Sequence, residues 1–331
     1  MKRLLVNGVI FILLLYVPLF LLQKMVDSGM KKFRNGEYSI WQDSYTGKIN
    51  ADIIVLGNSR ACVNISPMIL DSSLKKSAYN LGVDGGDFNL AYTRFKVYLE
   101  KNKLPKIVIL SLSADDFEKR IGIYKPEQFM PYISDTLLLN GLKGYKNDFT
   151  ISDLYIPLAK YRSNPSSIIV GIKLFFGMKI SNDDLYVRGY QARPRIWGND
   201  FEKFIKSKKT FNIHVTPQLI QEFKDLILFC KKNKIKLYFI YAPEYIKVQP
   251  YYINRPSIFN YYKTASTLYK IPFIDYSNDT ISYNTKYFYN SEHLNKIGSE
   301  TFTKKLANDI AAEENKTVHP SNPTSNKKAG F

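Results

Sequence analysis

Five short apolar runs, separated by amphipathic stretches, restrict the fold more than any other feature of this chain. Residues 52–56, 77–81, 106–110, 235–241 and 272–274 read as strands. Between them, Phe88, Ala91, Tyr92, Phe95 and Leu99 fall on one helical face. A second stripe joins Leu219, Ile220, Phe223, Leu226, Ile227 and Cys230. It begins behind Thr216-Pro217, a capping residue with proline at the first helical position. Further helices are expected over about 256–269 and 295–312. Strands alternating with such helices predict an α/β fold, a flavodoxin-like parallel sheet sandwiched between two helical layers.

Four of the five strand runs end in a polar or glycine-rich cluster: Gly57-Asn58-Ser59, Gly82 to Gly86, Ser111 to Asp116, and Ala242-Pro243-Glu244. Open parallel sheets bind ligands beyond the carboxyl ends of their strands. Ser59 therefore stands where a corner can present a hydroxyl, although an ordinary turn has the same composition. A serine needs a base to act as a nucleophile near neutral pH. Of the three histidines, His319 lies in a polar tail and His214 precedes a helix with no partner nearby in sequence. His293 sits in the loop before the last helix, at the same edge of the sheet as Ser59. Any α/β domain has a serine and a histidine at its edge, so the pair alone decides nothing.

The N-terminus adds a second constraint. Leu4 to Leu22 carries no charge and one strongly polar residue, Asn7. Nineteen residues span a hydrocarbon core of about 30 Å as a helix. No small-residue cleavage site follows, so the run reads as an uncleaved signal anchor, with a removed signal peptide as the alternative. Lys2 and Arg3 precede it, while Lys24, Lys31, Lys32 and Arg34 follow, so charge does not settle its orientation. The division expected is an anchor over 1–23, a polar connector over 24–50, an α/β domain over 51–314 and a disordered tail over 315–331. Within the domain the alternation breaks over about 117–211. That insert contains an apolar run, residues 167–177, too short to span a membrane and expected to be a core helix or strand.

The formal net charge is +18, which favours anionic neighbours such as a bilayer surface or an acidic polymer, unless the lysines simply solvate the surface. Zinc spacing, RNA-binding aromatic signatures and recognition-helix patterns are lacking, so nucleic acid is not expected as a partner. Cys62 and Cys230 have no metal spacing and form no disulfide framework. Two buried free thiols are expected, with a single bridge as the alternative. No metal or cofactor is expected.

The ordered motifs resemble the SGNH/GDSL hydrolase superfamily. Gly57-Asn58-Ser59 is similar to its first block, with Asn58 replacing the usual aspartate. Gly82 to Gly86 resembles the second block, and Ser111 to Phe117 occupies the place of the third. Asn290-Ser-Glu-His293 resembles the fifth, where Asp-x-x-His is usual. The Gly-x-Ser-Arg corner, the His-Leu-Asn-x-x-Gly ending and the N-terminal anchor look most like one branch. Its members are membrane-anchored, extracytoplasmic proteins related to those that acetylate alginate and other exopolysaccharides or transfer D-alanine to teichoic acid. The resemblance covers about 50–115 and 216–312 and leaves out the insert.

The resemblance implies a role for each residue. Ser59 would be the acyl-accepting nucleophile, His293 its base, and Asn290 the residue orienting the imidazole. The N–H groups of Ser59 and Gly85 would stabilise an oxyanion. Asn58, Arg60, Asp115 and Asp116 complete the expected substrate-binding set. An ionised Asp115 or Asp116 would repel an oxyanion, so the family's asparagine donor there is missing, and Arg60 would offer compensating charge unless it only fixes the loop. Asp275 is an alternative third member if the loop folds back, whereas Glu292 would point elsewhere in an extended loop. The implied reaction is O-acyl transfer or ester hydrolysis on a cell-surface glycan, outside a bacterial cell membrane. A multispanning acyltransferase is the implied partner. A non-catalytic glycan-binding or assembly protein is the alternative, given the departures at Asn290 and in the third block.

Overall fold

The computed structural model describes residues 1–146, 149–180, 186–207 and 209–318. Its helices are, in chain order, α1 (Lys2–Met30), α2 (Glu37–Tyr45), α3 (Ser59–Asn64), α4 (Pro67–Leu74), α5 (Phe88–Lys101), α6 (Thr136–Gly141), α7 (Ile151–Tyr155), α8 (Ser166–Phe175), α9 (Asp200–Lys206), α10 (Pro217–Lys232), α11 (Arg255–Tyr269) and α12 (Lys296–Val318). The strands are β1 (Ile53–Gly57), β2 (Ala78–Asn80), β3 (Ile107–Leu112), β4 (Tyr186–Val187), β5 (Tyr190–Gln191), β6 (Lys236–Tyr241) and β7 (Phe273–Asp275).

Five of the strands form one parallel sheet in the order β2-β1-β3-β6-β7, the flavodoxin-like doubly wound arrangement expected. Successive residues of each strand face opposite layers. Ile54, Leu56, Val108, Leu110 and Phe239 pack under α5, α10 and α11. Ile53, Val55, Ile107, Ile109 and Ile240 pack against α3, α4 and α12, through Ala61, Leu70, Phe302 and Leu306. Burial on both faces explains why β1, β3 and β6 read as unbroken apolar runs rather than alternating ones. The order of connection reverses beside β1, and Ser59 follows that strand directly.

Several expectations need correction. Residues 24–50 are not a bare connector: α1 continues to Met30, and α2 buries Ile40 and Trp41 completely or nearly so. Thr216 stands at the N-cap of α10, but its hydroxyl accepts from Lys119 N instead of capping its own helix. The last helix runs on to Val318, so 315–318 are helical; 319–331, with His319, lie outside the described residues. The apolar run of the insert is helical, as α8, and is core on one side only. Gly171 meets Val26 of α1, and Ile168, Val170 and Ile172 pack on the cluster of Val26, Met30, Met130 and Tyr161, while Ile169 and Phe176 are exposed. Cys62 and Cys230 are both free and buried.

The stretch between β3 and α10 holds α6 to α9 and the small antiparallel pair β4–β5. It returns to the main sheet at β2, where Asn80 N donates to Arg188 O at 2.9 Å. It also lies against the last loop, where Trp197 packs edge-on to Tyr245 and Phe288.

Candidate active site

The corner after β1 is built by three local devices. Gly57 takes φ +141°, and a Cβ there would stand 2.5 Å from Ser111 O on the neighbouring strand, so only glycine fits. Asn58 then caps α3, its Oδ1 accepting from Arg60 N at 2.9 Å. Ser59 opens the helix with its hydroxyl at the sheet's carboxyl edge. The glycine loop after β2 lies alongside: Val83 N donates to Gly57 O at 2.9 Å. Gly82 approaches the backbone of α3 so closely that a Cβ would stand 2.5 Å from Cys62 N.

His293 arrives from the loop between β7 and α12. Ser59 Oγ and His293 Nε2 are 2.8 Å apart. His293 Nδ1 lies 3.0 Å from Asn290 Oδ1. That same oxygen accepts the backbone N–H of Glu292 at 3.1 Å and of His293 at 2.9 Å. Two backbone donors fix which end of the amide is oxygen, so Nδ1 must carry the proton and donate to it. Nε2 is left as the acceptor for the Ser59 hydroxyl. Tyr289 stacks on the imidazole, with ring centroids 5.5 Å apart. Burial, then the Arg60 charge, push the His293 pKa down to about 4 against the opposing pull of Asp84 and Asp115. The ring is therefore a neutral acceptor at neutral pH. Asp275, the alternative orienter, accepts from Ser277 N at 2.9 Å instead.

A polar hollow of about 50 Å³ opens beside this pair, lined by Ser59, Arg60, Asp115, Arg120, Glu292 and His293 among others. The sequence-derived residues divide here. Asp115 faces the hollow, paired with Arg120 at 2.5 Å and bonded by the Ser113 hydroxyl. Burial disfavours its charge, but Arg120 and these bonds outweigh burial and hold its pKa below the ordinary value. Asp116 turns inward and is no part of the hollow. It accepts from Ser113 N at 2.7 Å and from Asn58 Nδ2 at 3.3 Å. Burial and the neighbouring Asp115 push its pKa up to about 7. Asn58 is also a brace: its amide protons go to Ser113 Oγ at 2.7 Å and to Asp116, leaving none for substrate. Gly85 takes φ +67°, and a Cβ there would stand 2.8 Å from Tyr124 Cβ and 2.9 Å from the first atom of its ring.

Arg60 is not a surface residue. It is 5% exposed, bonds Glu244 at 3.2 Å and Ala242 O, and stacks over Tyr241 with 4.5 Å to the ring centroid. Its Nε, like that of Arg120, is buried without a protein acceptor. Glu292 does not point away. The turn closed by Asn290 aims it into the hollow, where the Tyr252 hydroxyl donates to it. Arg120 and Tyr252 lining the site could not be read from sequence spacing. A cation three residues beyond Phe117, next to the third-block carboxylates, was the only signal for Arg120. Among the described residues no cluster of His, Cys, Asp and Glu is arranged to hold a metal.

A larger, mostly apolar hollow of about 290 Å³ lies at the opposite end of the sheet, between the starts of β6 and β7. Its one thiol, Cys230, is pushed up to about 12 by burial, and no histidine or carboxylate is among the residues that line the hollow. Shape alone favours that hollow, but the serine hydroxyl in hydrogen-bond reach of a histidine is at Ser59, and that makes the smaller hollow the candidate site.

No protein-family model matches the chain, and no curated protein matches it in sequence. Solved structures overlap it at low identity. An acetyl xylan esterase, AlAXEase, is 13% identical, with 79% of this chain and 98% of the esterase covered and a TM-score of 0.38. A GDSL-like lipase from Bacteroides thetaiotaomicron VPI-5482 is 11% identical over 78% of this chain and 88% of its own, with a TM-score of 0.36. The inhibitor-bound aryl esterase of M. smegmatis is 10% identical, covering 78% and 98%, with a TM-score of 0.35.

Proposed function

We propose that this chain is a membrane-anchored serine O-acyltransferase or esterase of the SGNH type, acting outside the cytoplasm on cell-surface polysaccharide. The observation that carries the reading is the relay Ser59 Oγ–His293 Nε2–His293 Nδ1–Asn290 Oδ1, at 2.8 and 3.0 Å, at the carboxyl edge of a parallel sheet. In the first step Ser59 Oγ attacks the acyl carbonyl and its proton passes to Nε2. The donor's leaving oxygen takes that proton, and an acyl–Ser59 ester remains. In the second step His293 removes a proton from an acceptor hydroxyl, which attacks the ester carbonyl; the acyl–Oγ bond breaks and Nε2 returns the proton to Ser59 Oγ. A glycan acceptor gives transfer and water gives hydrolysis. The N–H of Ser59 and of Gly85, and the unpartnered Nε of Arg60 or Arg120, are the donors assigned to the oxyanion. A polar hollow of only about 50 Å³ favours a short acyl group such as acetyl over a long chain. The anchoring part of the reading is supported by α1, long and apolar enough to cross a membrane.

A second reading is supported by the same residues. Asn290 supplies no negative charge, and the third block supplies a carboxylate where an amide would donate. Both suit a glycan-binding or assembly protein that kept the fold without the activity. The test uses the full chain in detergent micelles with p-nitrophenyl acetate. Release of p-nitrophenol that disappears in Ser59→Ala supports catalysis. Equal rates in both proteins, with glycan binding retained in Ser59→Ala, would establish the non-catalytic reading.

A further inference from the structure

The insert is locked against α1 in step. Tyr16 Oη donates to Tyr155 O at 2.9 Å, Leu158 N to Gln23 Oε1 at 2.6 Å, and Lys160 Nζ to Asp27 at 2.8 Å. Higher up, α1 and α8 touch backbone to backbone: a Cβ on Gly29 would stand 1.8 Å from Gly171 O. The chain from Tyr155 to Lys160 thus climbs beside α1 from the level of Tyr16 to that of Asp27.

That register has a consequence if α1 spans a bilayer. The uncharged run begins at Leu4, and the thirteen residues to Tyr16 give about 20 Å of helix at 1.5 Å per residue. A hydrocarbon core of about 30 Å therefore extends about 10 Å beyond Tyr16. Tyr155 stands at that depth, below the outer surface of the core. Its surroundings are suited to it. The exposed side chains of α7 and the next residue are Ile151, Tyr155 and Ile156, at 76%, 68% and 58% exposure. The one charge of the helix, Asp153, is 1% exposed, bonded by Thr150 and Arg162. Asp153 closes the capping box of α7, accepting from Thr150 N at 2.7 Å, which leaves the outward side of the helix without charge. Above it, Lys146, Lys160 and Arg162 line a cavity of about 380 Å³ with Asp153 its one carboxylate, at the level where lipid phosphates lie.

We propose that α7 and the turn after it form a membrane-dipping tip. Ile151, Tyr155 and Ile156 enter the acyl–headgroup boundary of the leaflet from which α1 emerges, with anionic headgroups against the exposed Lys146 and Arg162. The occupant of this surface is lipid. The inference rests on reading α1 as a membrane span. The tip gives the domain a second point of attachment, so the whole α/β unit is held at one tilt and height instead of swinging on a single helix.

The test labels the full chain with an environment-sensitive dye at one introduced cysteine, Val9→Cys, Ile156→Cys or Leu268→Cys. All three positions are exposed, and the native thiols of Cys62 and Cys230 are buried. Each protein is reconstituted in vesicles of phosphatidylcholine and phosphatidylglycerol carrying brominated acyl chains. The tip predicts that bromine quenches the label at 156 at least fivefold more than the label at 268 on α11. Strong quenching at 9 with quenching at 156 no greater than at 268 overturns the tip and leaves the anchor standing; a protein partner then covers that surface. No quenching at 9 overturns the membrane span itself, and the tip with it.

Discussion

Asn290 Oδ1 accepts three N–H groups at once, from Glu292, His293 and the His293 ring. One oxygen therefore shapes the loop, sets the imidazole tautomer and turns Glu292 into the site. Missing from this arrangement is negative charge to stabilise an imidazolium. Asn290→Asp retains every acceptor and adds that charge. A Ser59-dependent esterase rate is expected to rise roughly tenfold or more. Asp275→Asn is expected to leave it unchanged, because that carboxylate serves Ser277 N. A large loss in Asp275→Asn with no change in Asn290→Asp would show that Asn290 is not the orienting residue.

The pH profile follows from the burial of His293. Only the neutral ring can accept the Ser59 proton, so the rate falls as pH drops through the ring's pKa. With that pKa near 4, kcat/KM is expected to hold its plateau down to about pH 5 and fall below it. Asn290→Asp favours the imidazolium and should move this acid limb upward by one unit or more. Both profiles are measured from initial rates with corrections for the Ser59→Ala background. A wild-type limb near pH 6.5 would mean that the ring is solvated and that the hollow is open to water.

The sheet was legible because β1, β3 and β6 are buried on both faces and so are written as unbroken apolar runs. Ser59 and His293 were legible because each follows a strand or precedes a helix at one edge of that sheet. The environment of the pair was not. Arg60 is buried only because Glu244, 184 residues later, waits beside it, and no local pattern records so distant a partner. Glu292 points inward because the Asn290 side chain bends the loop, which residue spacing cannot show. α8 read as core because its composition is apolar on all sides, yet composition does not say whether lipid, protein or solvent covers the outer face.

Topology provides a third prediction. The cations following the apolar run are exposed but each has a partner: Arg34 pairs with Asp43 at 2.7 Å, and Lys24, Lys31 and Lys32 lie over the Phe20, Tyr132 and Phe175 rings. If the proposed action on surface glycans holds, the domain must stand outside the cytoplasm. An alkaline phosphatase fused after the C-terminal residue is therefore expected to be active in cells, and a fused cytoplasmic reporter inactive. The opposite pattern would remove both the extracytoplasmic location and the glycan substrate.

The last prediction concerns how the segment after the anchor reaches the site. Arg94, fully buried on α5, donates to Gly82 O at 2.7 Å and to Glu37 of α2 at 2.5 Å, and its guanidinium stacks 4.5 Å over the Trp41 ring. Glu37 in turn accepts from Asp84 N at 3.4 Å. Burial pushes the Glu37 carboxyl above its ordinary range, with Arg94 opposing. Both sides of the glycine loop are thus tied to a pair that has no access to water. Removing one member leaves the other charged and unpaired, which costs about 3–5 kcal/mol for a buried pair. Glu37→Ala should therefore lower the stability of the full chain by that order in urea titrations. Glu37→Gln retains the acceptor for Asp84 N and should lose less. If the glycine loop supplies the oxyanion donor, Glu37→Gln should lower kcat more than it raises KM, because a loosened donor weakens the transition state before the ground state. Unchanged stability in Glu37→Ala would mean that water reaches the pair. Unchanged kcat in a folded Glu37→Gln protein would mean that the loop's position does not depend on α2.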